Sequence, residues 1–187
     1  MDAITRNHLN NLQSKDAALR YESFQFIINL TNHPVDWAYD VWDDLIVMIK
    51  KGDNHQRTIA VQLLSNLAKS DSENRMQHDL DKLMVVTKDE KFVTARHSLL
   101  ALWKIAVVNK SLQQMVIDRL AKRYKECITE KNCTLVRYDI MCVLRKIYDH
   151  VHNDPVKTLA LSLIETEKDS KYQKKYTGVW KDTTRGK

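Results

Sequence analysis

The sequence is poor in residues that turn a chain, with 3 Gly and 2 Pro among 187 residues. So few turn formers exclude an all-β protein, and a hydrophobic content of 43% excludes a disordered one. Long apolar runs are missing as well. Leu45 to Ile49 falls far short of the roughly 20 residues that cross a bilayer, and Met1 to Leu12 has no apolar centre for a secretory leader. Cysteine is scarce: Cys127, Cys133 and Cys142 cannot all pair and lack the short spacing of zinc ligands, which fits reduced thiols in a cytoplasmic protein. No glycine-rich phosphate loop, zinc-binding histidine pair or nucleophile elbow occurs. His150 and His152, two residues apart, point to different sides of a helix. These absences lead to the expectation of a non-enzymatic helical protein with no cofactor, no metal and no membrane span.

What is present is a repeat. Asp53, Arg57, Ala60, Leu63, Leu64, Leu67 and Ala68 set an apolar stripe at helical spacing. The same frame reads Asp16, Leu19, Arg20, Ser23, Phe26, Ile27, Leu30 upstream and Val136, Arg137, Ile140, Val143, Leu144, Ile147, Tyr148 downstream. A degenerate copy keeps the stripe at Ser98, Ala101, Leu102, Ile105 and Ala106, but has Ala95 in the arginine's place and Arg96 one position late. Aligned, Arg20, Arg57, Ala95, Arg137 and Lys174 stand 37, 38, 42 and 37 residues apart. A two-helix period of that size belongs to the HEAT and armadillo class. One helix pair cannot bury its own apolar face, so neighbours must stack. The expected fold is all-α: a right-handed superhelix of about five two-helix repeats, one domain over residues 1–182 with a frayed tail at 183–187.

Local signals divide the chain into ten helices. Ser14 to Asp16, Asp53, and Asp154 followed by Pro155 read as helix starts, and Ser70 with Glu73 and Thr87 with Glu90 as capping boxes. Lys50, Lys51 and Gly52 read as a helix end, with glycine as the left-handed residue. The sixth helix is expected to run unbroken from about Phe92 to Val108.

At these residues the chain resembles HEAT repeats specifically. The pattern of aspartate, aliphatic residue, arginine, small residue and an apolar pair is met throughout at Asp16, Leu19, Arg20, Ser23, Phe26, Ile27. It is met at Asp53, Arg57, Ala60, Leu63, Leu64 with Gln56 at the aliphatic place, and at Arg137 onward with Cys133 in the aspartate's place. The resemblance implies a ladder of hydrogen bonds between neighbouring repeats, made by Asp16 and Arg20 and by Asp53 and Arg57, with Arg137 at the matching position. The competing reading is that the aspartates only cap and the arginines only snorkel to water.

Charge is unevenly distributed. Residues 1–90 carry ten Lys and Arg against fourteen Asp and Glu, net −4, and residues 91–187 carry twenty against ten, net +10. Such polarity suits an acidic partner of the second half, or simply a solvated surface. The second helix of each pair should line the inner curve of the stack. One aligned row there reads Asn29, Asn66, Lys104, Lys146, another reads Glu22, Ile59, His97, Asp139, Tyr176, and a third contains Arg96 and Tyr138. The expected site is therefore a groove in which Arg96, Lys104, Tyr138, Arg145 and Lys146 take an acidic protein segment and Asn29 and Asn66 grip its backbone. The alternative is nucleic-acid binding, in the manner of HEAT-like DNA-alkylation-repair glycosylases. For that, Trp37, Tyr39, Trp42 and Asp40, Asp43, Asp44 crowd one helix, and Trp103, Trp180 and Tyr176 lie among basic residues.

Overall fold

Helix after helix begins where a short polar side chain can take the free amides of the first turn. A computed structural model describes residues 1–181; the expected tail at 183–187 lies outside the described residues. The helices are α1 (Ala3–Asn11), α2 (Ala17–Leu30), α3 (Ala38–Lys51), α4 (Asn54–Leu67), α5 (Arg75–Val86), α6 (Phe92–Ala101), α7 (Trp103–Ala106), α8 (Lys110–Glu126), α9 (Cys133–Val151), α10 (Asp154–Glu165) and α11 (Ser170–Val179). No strand interrupts them among the described residues. Asp2, Asp16, Asp53, Asn109 and Asp169 each accept from a backbone amide of the helix they precede.

Several local expectations are corrected. Gln56, which departs from the aliphatic place in the motif, closes a capping box: it accepts from Asp53 N at 3.0 Å while Asp53 accepts from Gln56 N at 2.8 Å. The two expected capping boxes do not form. Ser70 Oγ instead accepts from Val35 N of the preceding unit, and Thr87 Oγ1 donates to Met84 O. Asp71 takes over the start of α5, accepting from Arg75 N and Met76 N. Asn153, in extended backbone, precedes α10, with Asp154 already helical. Gly52 is extended, at φ −73°, not left-handed. Glycine is needed there for space: a Cβ would lie 2.5 Å from Met48 O and 2.7 Å from Gln56 Cβ. The expected sixth helix is bent, with α6 and α7 meeting at Leu102.

Counting α6 and α7 as one bent rod gives ten rods in five antiparallel pairs among the described residues. Second helices pack on second helices, α2 on α4, α4 on α6, α6 on α9 and α9 on α11, while α3, α5, α8 and α10 form the other row. The second-helix row is the more closely packed, as the inner side of a curved stack must be. Between the rows runs one continuous apolar layer that includes Ile27, Trp42, Leu63, Leu64, Leu83, Leu120, Ile140, Val143 and Leu144. Its continuity is what the repeat stripe requires, because each helix pair offers its apolar side to both neighbours.

The outer row carries ties that sequence reading missed. Arg75 pairs with Asp43, and Arg119 Nε with Asp81 at 2.6 Å, so each joins a first helix to the one before it. Their signal was in the sequence, as a carboxylate and an arginine 32 or 38 residues apart.

Candidate functional site

Two of the three motif arginines, Arg57 and Arg137, bridge units, but not to the motif aspartates. Asp16 and Asp53 spend their carboxylates on their own helix amides. Arg57 donates Nε to Asp89, in the turn before α6, at 2.6 Å, and Nη1 to Gly52 O at 2.9 Å. Arg137 repeats the arrangement, donating Nη1 to Glu167 in the turn before α11 at 2.8 Å and Nε to Tyr124 O at 3.1 Å. Arg20 reaches only Ser14 O, at 2.7 Å. The expected aspartate–arginine ladder is thus corrected to one in which Arg57 and Arg137, but not Arg20, pair with the acid of the next unit's inner turn. A carboxylate two or three residues from its own helix amides satisfies them at little loop-closure cost, which leaves the arginine to find another acid. Burial works against the Asp89 carboxylate, but Arg57 and the Lys91 amide outweigh it and hold its pKa below the usual value.

In the third unit, where Ala95 replaces the arginine, Arg123 of α8 fills the gap from the other side. It is 2% exposed, pairs with Glu130 through both Nη atoms at 2.6 Å, and donates to Thr87 O at 3.2 Å. An open cleft of about 360 Å³ remains beside Ala95. One lost arginine is therefore replaced by another from outside the motif, a substitution invisible to alignment.

The residues expected in the groove divide into separate clusters. Arg96 and Tyr138 lie around Asp139, which α9 buries to 1% exposure. Arg96 Nη2 donates to Asp139 Oδ1 at 3.1 Å, and its Nε lies 3.0 Å from Oδ2 without closing a hydrogen bond. Burial raises the Asp139 pKa, against the opposing pull of Arg96, Lys175 and His97. Lys175 covers the Tyr138 ring at 4.6 Å. Of the row Glu22, Ile59, His97, Asp139 and Tyr176, expected to face the groove, Ile59, Asp139 and Tyr176 are buried where second helices approach closely, and Glu22 and His97 are exposed. Arg145 pairs with Asp149 at 2.7 Å and lies 5.9 Å from the Trp180 ring. Asn29 is exposed on α2.

Asn66, Lys104 and Lys146 are brought together, and Lys69 joins them. Asn66 is corrected from groove to interior, at 0% exposure. Its Nδ2 donates to Ile28 O and Thr31 Oγ1, each at 3.0 Å, and its Oδ1 accepts from Lys104 Nζ. Lys69 Nζ donates to Thr31 O at 3.2 Å and Asn32 O at 2.9 Å, at the C-terminus of α2, where a cation meets the helix dipole favourably. Lys146 Nζ sits 5.5 Å from the Trp103 ring, which also meets the His150 ring in a tilted contact at 4.6 Å. Burial lowers the Lys104 pKa, and repulsion from Lys69 and Lys146 lowers it further. None of these three lysines has a carboxylate partner among the described residues. The result is a run of unneutralised cations along the C-terminal ends of the inner helices.

The expected nucleic-acid features are arranged differently. Trp37, Trp42 and Trp180 are buried, with Trp42 Nε1 donating to Asp79 Oδ2 at 2.8 Å. Asp40, Asp43 and Asp44 stand on α3, in the other row, and Asp43 is held by Arg75. Only Trp103 lies beside the lysines. No cluster of three or more potential metal ligands occurs among the described residues, and no helix there is long and apolar enough to cross a membrane.

No protein-family model and no curated protein matches the chain. Among solved structures it is similar to an engineered protein, Northeast Structural Genomics Consortium target OR329, at TM-score 0.50 and 16% identity, over 96% of this chain and 78% of that one. At that identity the likeness speaks for the fold alone, and the fold it supports is an all-helical, repeat-like stack.

Proposed function

We propose that this helical repeat scaffold is a non-enzymatic, HEAT-like binding module that takes an acidic protein segment on its inner surface. The observation that carries the reading is the run of Lys69, Lys104 and Lys146, whose mutual repulsion is felt at Lys104 and which no carboxylate of the described residues neutralises. A protein that concentrates like charge without compensating it gains free energy when an anion arrives. Elsewhere on the molecule, basic side chains such as Arg57, Arg96, Arg119 and Arg137 are already paired, so they have less to offer a partner. The burial of three of the four tryptophans favours a protein segment over a nucleic acid, whose bases need open aromatic faces.

The test is binding of a fluorescein-labelled oligoglutamate peptide to the full chain, with duplex DNA as competitor. Neutralising Lys104 and Lys146 together, as Lys104→Gln with Lys146→Gln, should weaken peptide binding about tenfold, the effect of roughly 1.4 kcal/mol. Lys122→Gln with Lys125→Gln, an equal charge change on exposed positions of α8, should weaken it less than about twofold. Equal losses in both pairs would mean that net charge is being read, and tight displacement by DNA would favour nucleic acid as the partner.

A further inference from the structure

We infer that Cys127 and Cys133 form a dithiol site that low-molecular-weight disulfides oxidise reversibly to an intramolecular bond. Their Sγ atoms lie 2.6 Å apart, closer than two unbonded sulfurs rest and within about 0.6 Å of a covalent bond. The approach is fixed by backbone. Cys127 ends α8 in a single 3-10 turn and Cys133 opens α9, and the residues between are held by Glu130 N donating to Cys127 O at 2.8 Å and Cys133 N to Glu130 O at 3.1 Å. Arg123 clamps Glu130 in the same turn. Cys142 stands apart: nine residues beyond Cys133 on one helix is about 13 Å of rise.

The chemistry of the two thiols divides the work. Cys133 is partly accessible, whereas Cys127 is fully buried, and burial pushes its thiol up. The guanidiniums of Arg137 and Arg123 oppose that rise. Cys133, as its thiolate, attacks one sulfur of oxidised glutathione and displaces one glutathione thiolate, leaving a mixed disulfide. Cys127 then attacks Cys133 Sγ, loses its proton to solvent, and expels the second glutathione. The protein gives up two electrons and two protons, and the oxidant becomes two glutathione thiols. The sequence offered the spacing but no reason to choose this pair, because Cys127 falls on a helix and Cys133 stands where the repeat motif has its aspartate.

The experiment treats the full chain with oxidised glutathione near neutral pH, then denatures it in excess iodoacetamide for peptide mass analysis. The expected product is 2 Da lighter before alkylation, from the two hydrogens lost in forming one S–S bond. It carries a Cys127–Cys133 linked peptide, is alkylated only at Cys142, and is restored by dithiothreitol. Cys142→Ser should keep the link, and Cys133→Ala should abolish it while leaving the circular dichroism spectrum of the parent. Alkylation of all three cysteines, arrest at a glutathione adduct on Cys133, or a link through Cys142 or to a second chain would overturn the assignment.

Discussion

Replacing Asn66 by alanine should cost about 2–3 kcal/mol, far more than its polar character and its place in an aligned polar row would lead one to expect. The side chain is 0% exposed and joins three units of the stack. It donates to Ile28 O and Thr31 Oγ1 of α2 and its flank, and accepts from Lys104 of α7. Without Asn66, Ile28 O keeps only the longer bond from Thr31 Oγ1, at 3.3 Å, because Asn32 N already donates to Asn29 O. Two neutral hydrogen bonds, one buried and one partly buried, at about 1–1.5 kcal/mol each give the figure, without the further contact to Lys104. For a chain of this size the melting midpoint should fall by roughly 4–12 °C. Urea unfolding followed by circular dichroism at 222 nm measures the difference directly. Thr31→Val removes the facing hydroxyl, and a double-mutant cycle with Asn66→Ala should show about 0.5–1 kcal/mol of coupling. An Asn66→Ala chain within about 0.5 kcal/mol of the parent, or a coupling of zero, would show that the inter-unit bonds of Asn66 do not hold the stack.

Further outcomes follow from the same contacts. Arg57→Ala should cost about 1–3 kcal/mol at neutral pH by breaking a charge-assisted bond to an acid that is largely buried. Because the Asp89 pKa is depressed, that stabilisation is complete above about pH 4 and is lost as pH falls through its folded value, so the parent and the variant should converge in acid unfolding curves. The sign is opposite for Asp139, whose pKa is raised: the folded chain gains stability from its protonation as pH falls toward about 4. Asp139→Asn should therefore be neutral or stabilising at pH 7 and lose that advantage near pH 4, as denaturation midpoints at the two pH values would show. Leu64→Ala, at 0% exposure, should cost about 2–5 kcal/mol through the cavity it leaves, measured by the same urea titration.

The sequence by itself determined the helical class, the five-unit period and the apolar stripe of the later units, because these depend on spacing within one helix; in the first copy Ile27 is buried but Leu19, Phe26 and Leu30 are exposed. Leu63, Leu64, Val143 and Leu144 are buried where the 3.6-residue pattern puts them. It also determined the caps at Asp16 and Asp53, which act on amides two and three residues away. The partners of Arg57 and Arg137 were decided only by stacking, since Asp89 and Glu167 belong to the next unit and the motif does not contain them. The replacement of the missing arginine at Ala95 by Arg123, and the meeting of Cys127 with Cys133, depend on how one turn is folded. Alignment put Lys104 and Lys146 in one row, but it could not tell that Asn66 in that row is interior, because how deep a position lies depends on how closely the neighbouring helix approaches. Lys69 entered the site for the same reason: at the end of α4 it reaches back across the unit boundary to the carbonyls that close α2.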